Sequence, residues 1–343
     1  MHRRTLVSLV AASTLAMSAA TQPALAADDG GDEGSNDSLQ GNGGQLGAAL
    51  QRYLALPGTK SYLIRAGQGG SLGRIAHRPN LFLFTASAYK TFVLGQYLRD
   101  VEAGRLAEDE LLAIDDSVRM WGSPVFLYLA GKTPARSVLE AMITHSDNIA
   151  TDIATGQVGA DRVRALIAQA GLRSIRIPDS TRRFASYLYG APAGVDLGWP
   201  AILEATENPP GPIRSPLNDV ITLAGSARDF VSWYEQALAG AFFAEPVTLT
   251  EFKRIQATSE QIPLAVPPDT PAYAKGGELP WPGLSTKSLA GQVVVSSSGG
   301  VQTPVTFCFI VNWDGPASEF PAVQAAFFAA IKGVLRVIKQ ALQ

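Results

Sequence analysis

Polar and apolar positions divide this chain into blocks of different period. Ser61-Tyr62-Leu63-Ile64-Arg65 and Leu72 to His77 read as strands. Gly67-Gln68-Gly69-Gly70 between them is turn chemistry, so the pair predicts a hairpin. Leu81-Phe82-Leu83-Phe84 is a short apolar run leading into a helical pattern from about Ser87 to Ala103. Helical spacing continues over Pro134 to Thr144, Asn148 to Gln157 and Ala160 to Ala170, where Gly171 stops it. Residues 173–217 hold prolines at 178, 192, 200, 209, 210, 212 and 216 and predict irregular chain. Ser226 is a good N-cap for a helix running to Ala239. After residue 270 the period returns to strand over Ala272 to Lys275, Ser285 to Ser296 and Val305 to Trp313, and Pro321 to Leu342 reads as a long final helix.

Strands thus lie at both ends and helices fill the middle. The order predicts an α/β chain of the α+β kind. The two ends share one antiparallel sheet with the final helix packed on it, and the middle is an all-helical insertion. The sheet lobe is expected at about residues 46–84 and 270–343 and the helical lobe at about 85–269. A cleft should form where the two lobes meet.

Residues 1–26 stand apart. Arg3 and Arg4 form a short basic region, Leu6 to Ala20 is apolar, and Ala24-Leu25-Ala26 is a small-residue cleavage site. The three parts make a secretory signal. A membrane anchor is the alternative, but the stretch is short and rich in Ala, Ser and Thr. Export to a periplasm or the outside is expected, and two arginines alone do not separate twin-arginine from general export. Residues 27–45, rich in Gly, Asp, Asn and Ser, predict a flexible leader.

Composition narrows the functional classes. Of 343 residues, 46% are hydrophobic and 17% charged, as in a packed globular protein. The formal charge is −2, and loss of Arg3 and Arg4 with the signal makes it −4. Neither value favours a nucleic-acid partner. No other stretch reads as long and apolar enough to cross a membrane, so a soluble mature protein without membrane contact, most simply a monomer, is expected. The single cysteine, Cys308, lies in an apolar run and reads as a buried small hydrophobe. The mature chain has two histidines, His77 and His145, far apart from each other and from Cys308. No transition-metal site and no cofactor is expected from this set.

Three short motifs carry the candidate chemistry. Ser87-Ala88-Tyr89-Lys90 is an S-x-x-K at the start of a helix. Positions i and i+3 share a helix face, so Lys90 stands beside the Ser87 hydroxyl. A serine needs such a base to become a nucleophile, and a desolvated lysine near other cations can act as one. Ser146-Asp147-Asn148 lies at a junction between helices, 59 residues after Ser87. Lys275-Gly276-Gly277 closes a short strand. An isolated S-x-x-K is usually only a surface pair on a helix; the ordered set is far more specific.

Together these motifs resemble the serine β-lactamase and penicillin-binding-protein superfamily, class A in particular. The resemblance extends over Leu46 to Gln343. Met142-Ile143-Thr144-His145 before the second motif, and Val158-Gly159 and Gly171-Leu172 after it, are similar to the family. It implies a β-lactamase-like fold, a five-stranded antiparallel sheet flanked by helices with a large helical subdomain. It also implies a serine hydrolase that forms an acyl-enzyme on Ser87. Ser146 would shuttle a proton to the leaving nitrogen, and Asn148 would hold a substrate amide or Lys90. Lys275 would supply charge for a substrate carboxylate. The backbone N–H of Glu278, just past Gly277, would be the second oxyanion donor. Trp121 matches the aromatic at the cleft mouth, or is an ordinary half-buried ring. The small-molecule substrate is a β-lactam or a peptidoglycan-like acyl compound.

Two departures bear on turnover. Gly276 stands where the family has Thr or Ser. The Glu-x-x-Leu-Asn whose Glu activates water in class A is not found between residues 173 and 217, and Lys275 follows Asp147 by an unusually long 128 residues. Glu204 and Glu207 are the candidate deacylating carboxylates, with Asp179, Asp196 and Asp219 nearby; each could equally be a solvated loop residue. Three readings remain. The first is a true β-lactamase-like hydrolase. The second is a penicillin-binding, DD-peptidase-like or esterase-like enzyme with slow deacylation, and the third a non-catalytic binding protein using the same cleft. Gly69-Gly70-Ser71-Leu72-Gly73 matches the G-x-S-x-G of α/β-hydrolases but lies in the predicted hairpin, the wrong context. His145 beside Ser146 is taken as structural.

Overall fold

A computed structural model describes residues 43–343; the predicted signal and nearly all of the leader lie outside them. The first described element is helix α1 (Gly43–Leu54), which starts three residues before Leu46. The predicted hairpin is present as β1 (Thr59–Ala66) and β2 (Gly73–His77), paired antiparallel, and the G-x-S-x-G stretch forms its turn. Short β3 (Leu83–Phe84) leads through a 3-10 turn over Ala86–Tyr89 into α2 (Lys90–Glu102). The middle of the chain then forms β4 (Leu111–Ile114), β5 (Gly131–Pro134), α3 (Ala135–Thr144), α4 (Asn148–Val158) and α5 (Ala160–Gln169).

Two regular helices interrupt the stretch expected to be irregular, α6 (Thr181–Leu188) and α7 (Gly198–Ala205). Proline spacing misled there. Every proline in the span lies outside the α6 interior, and Pro200 falls in the first turn of α7, where its missing N–H costs nothing. The chain continues through β6 (Ala224–Gly225), α8 (Ala227–Leu238), α9 (Pro246–Gln256), α10 (Ile262–Ala265), β7 (Ala272–Leu279), β8 (Ser285–Ser296), β9 (Gln302–Trp313) and α11 (Phe320–Leu342). Ser226 caps α8 as expected, its hydroxyl accepting the Asp229 N–H.

The main sheet has five strands in the order β2-β1-β9-β8-β7, every pair antiparallel. Side chains alternate between its faces. Tyr62, Ile64, Leu289, Phe307 and Phe309 meet Phe327 and Ile331 of α11 and Tyr53 of α1. Leu63, Ala290, Cys308 and Ile310 meet Phe230, Trp233 and the helical lobe. So α8, inside the sequence span assigned to the helical lobe, covers the second face of the sheet. The helical lobe is also not purely helical, because β4 and β5 form a ribbon and β3 pairs with β6. Contrary to expectation, the segment Ala317–Leu342 is long and apolar enough by composition to cross a membrane; half of its most apolar window is buried against the fold.

Candidate active site

β7 is the edge of the sheet, and the 3-10 turn bearing Ser87 packs directly against it. A Cβ on Gly277 would lie 2.1 Å from Thr85 O and 2.6 Å from Ser87 N. Only glycine permits that approach. Ala86 takes a left-handed φ of 46°, a strained conformation for a residue with a Cβ, immediately before the serine. Between Leu83 and Lys90 only Ser87 is not fully buried. The turn thus presents one hydroxyl at the surface of an otherwise closed junction.

Lys90 has no exposed surface. Its Nζ donates to Ser146 O at 2.5 Å and to Asn148 Oδ1 at 2.8 Å, and lies 3.3 Å from Ser146 Oγ. Burial holds its pKa well below the ordinary lysine range, and the charge of Lys275 lowers it further; Asp147 and Asp152 oppose this. A neutral amine can give its two protons to the two carbonyl oxygens and keep its lone pair for a hydroxyl proton.

The S-D-N junction is built from the loop before β5. Ser146 has a left-handed φ of 57°. Asp147 is fully buried and caps α4, accepting from Ala150 N at 2.9 Å; its other oxygen accepts from Val125 N and Phe126 N at 3.0 and 2.9 Å. Asn148 donates through Nδ2 to Trp121 O at 2.9 Å and through its backbone N–H to Gly122 O. Trp121 is half-buried and joins the site through its carbonyl.

Lys275 is buried on β7 and donates to Gly276 O at 2.8 Å. Burial, with the charge of Lys287 adding to it, brings its pKa down to about 7. The next strand contributes Lys287, itself fully buried, bonded to the exposed Glu278 and lying 4.6 Å from the Phe328 ring centre. At Gly276 the position of an absent Cβ is taken by Gln261 Oε1, only 1.9 Å away. A hydroxylated residue cannot stand there while Gln261 does.

The structure brings Ser87, Lys90, Ser146, Asn148, Lys275, Gly277 and Glu278 to one junction between the lobes. It does not bring Glu204 and Glu207 there. Both lie exposed at the end of α7, and Glu204 accepts from Asn208 at 2.6 Å within its own turn. Asp179 and Asp196 are engaged by Arg164 and Arg182, and Asp219 is exposed. His145 is half exposed and pairs with Glu260 at 3.1 Å. A carboxylate outside the predicted set, Asp152, lies one helical turn after Asn148 on the same face of α4, and its charge acts on Lys90. It accepts from Thr181 N at 2.6 Å and Arg182 N at 3.1 Å, which ties the start of α6 to α4. Burial raises its pKa to about 6 against these hydrogen bonds and the charge of Lys90. Its i+4 spacing from Asn148 was a usable sequence signal. Gln261 and Lys287 had none, because only pairing and packing place them beside Gly276 and Glu278.

Comparison with known proteins agrees with the geometry. Residues 47–293 match the sequence model described as the beta-lactamase enzyme family. No curated protein sequence matches the chain. Among solved structures, a β-lactamase from Chitinophaga pinensis superposes with a TM-score of 0.67 at 16% identity, covering 88% of this chain and 100% of that one. A β-lactamase from Sphaerobacter thermophilus gives 0.64 at 19% identity, covering 87% and 97%. PBP-A gives 0.64 at 16% identity, covering 87% and 96%. The fold is that of the β-lactamases, and with the family match over most of its length the chain belongs to the beta-lactamase enzyme family, a family of serine hydrolases.

Proposed function

We propose that the protein is an exported serine hydrolase that opens an amide or lactam bond through an acyl-enzyme on Ser87. The observation that carries this is the buried Lys90 amine, held between Ser146 O and Asn148 Oδ1. Lys90 takes the Ser87 proton as Oγ bonds to the carbonyl carbon. The oxyanion develops between the N–H groups of Ser87 and Glu278. The carbon–nitrogen bond then breaks, and the leaving nitrogen takes a proton through Ser146, replenished from Lys90. Water releases the acyl group and restores the Ser87 hydroxyl. A variant of PBP-A solved as an acyl-enzyme with penicillin G supports β-lactams as the first substrates to try. The signal-like residues 1–26 support export of the mature domain.

One observation favours the second reading, a penicillin-binding or esterase-like enzyme with slow deacylation. Asp152, on the face of α4 that carries Asn148, is buried and committed to Thr181 N and Arg182 N, which leaves it poorly disposed to activate water.

Intact-protein mass after mixing with a chromogenic cephalosporin, with absorbance followed in parallel, tests both. Steady hydrolysis with a transient adduct supports the hydrolase reading. A persistent adduct on Ser87 supports the slow one. An adduct of equal yield in Ser87→Ala would sink both, and neither adduct nor turnover in the native protein would leave the cleft to another acyl substrate or to binding alone.

A further inference from the structure

The face of β7 that carries Gly276 and Glu278 decides what can lie beside Ser146 while a bond at Ser87 is broken. Its chemistry is that of acceptors. Gln261 is 6% exposed, its Oε1 is buried against Gly276, and that oxygen has no hydrogen-bond partner. In either orientation its carboxamide is uncharged. Glu278, half exposed, follows Gly277 directly and is placed on the strand by Lys287 and by Gln324 Nε2 at 2.7 Å. Glu260, also half exposed, adjoins Gln261 and pairs with His145.

The cations of this region are withdrawn from solvent. Lys287 is consumed by Glu278 and the Phe328 ring. Lys275 is buried on Gly276 O and, with its pKa near 7, holds its proton only part of the time at neutral pH. An anion placed here meets two exposed carboxylates and a neutral amide, and finds no free cation among the groups described. A carboxylate gains from a site only where a paired donor offsets its desolvation.

We infer that the site selects acyl compounds whose leaving side is neutral or cationic and rich in N–H or O–H donors, and discriminates against a free carboxylate there. This inference rests on the acyl-enzyme reading. Gln261 and Glu278 are then specificity residues, with Gln261 filling the place of a hydroxyl at position 276.

The test uses one acyl group with three charges on its leaving side: penicillin G with its carboxylate free, as the methyl ester, and as the 2-aminoethyl amide. The second-order rate of Ser87 acylation is read by intact mass. The ester and the cationic amide should react at least about tenfold faster than the free acid, a lower bound on the effect of juxtaposing like charges. A free acid that reacts as fast or faster overturns the charge preference while leaving the acyl-enzyme standing. No adduct on Ser87 from any of the three overturns the acyl-enzyme reading and the inference with it. Gln261→Lys and Glu278→Gln should each move the ratio towards the free acid; a ratio unchanged in both also overturns the assignment.

Discussion

Gly277 and Ser87 touch through their backbones, so closely that a single methyl group on Gly277 would come 2.6 Å from the Ser87 nitrogen. The contact joins an edge strand of the sheet to the 3-10 turn before α2 and, on the proposed acyl-enzyme reading, sets the two N–H groups that would face a developing oxyanion. Gly277→Ala should therefore push β7 away from the turn. Acylation should fall by about 100-fold or more, the scale of losing one oxyanion donor. A Gly277→Ala protein that acylates like the native one would show that this approach does not set the donor geometry.

Lys90 acts as a base only when neutral, so acylation should rise with pH through its lowered pKa. Asp152 raises that pKa by its charge. Asp152→Asn removes the charge, favours the neutral amine, and should move the acidic limb of the acylation profile to lower pH. A shift in the alkaline direction would contradict this. Thermal melting of the same variant separates the effect from loosening of α6.

Lys275 is costly to the fold. Its pKa falls from 10.5 unfolded to about 7 folded, so between these values the unfolded chain binds more protons and stability rises with pH. Below pH 7 the buried charge costs on the order of 5 kcal/mol. Lys275→Met should raise stability by about 2 kcal/mol at pH 6 after loss of the bond to Gly276 O, less at pH 9, and should depress acylation. Denaturant titration at the two pH values checks this. A gain larger at pH 9 than at pH 6 would reverse the assigned sign.

Asp147 touches no candidate reacting atom, yet it accepts N–H groups from Val125, Phe126 and Ala150. Asp147→Ala leaves all three without this acceptor and should cost about 2–4 kcal/mol. Because the loop it anchors also carries Trp121 and Gly122, which hold Asn148, acylation should fall as well. Equal stability in urea would contradict the role.

The motifs around Ser87, Ser146 and Lys275 were readable because each is local. S-x-x-K works through one helical turn, and S-D-N through one cap. The strands of the sheet were readable from their short apolar and β-branched runs between turn residues, and Ser226 from its capping chemistry. Glu204 and Glu207 were weighed because they were the glutamates within the right span of sequence, and α7 then turned them to solvent. The helices at Thr181–Leu188 and Gly198–Ala205 were hidden by prolines that proved to flank them or to open them.

The sequence by itself determined the fold class and the three motifs that carry Ser87, Ser146 and Lys275, since these depend on contacts within a few residues and on which face of an element is apolar. Tertiary structure alone decided the electrostatics of the site. Lys90 and Lys275 lose their ordinary pKa values only because packing strips water from both, sets Lys275 near Lys90 and sets Lys287 near Lys275. Gln261 meets Gly276, and Lys287 meets Glu278, across 15 and 9 residues of chain. Such contacts follow from strand register and close packing, which no local pattern records.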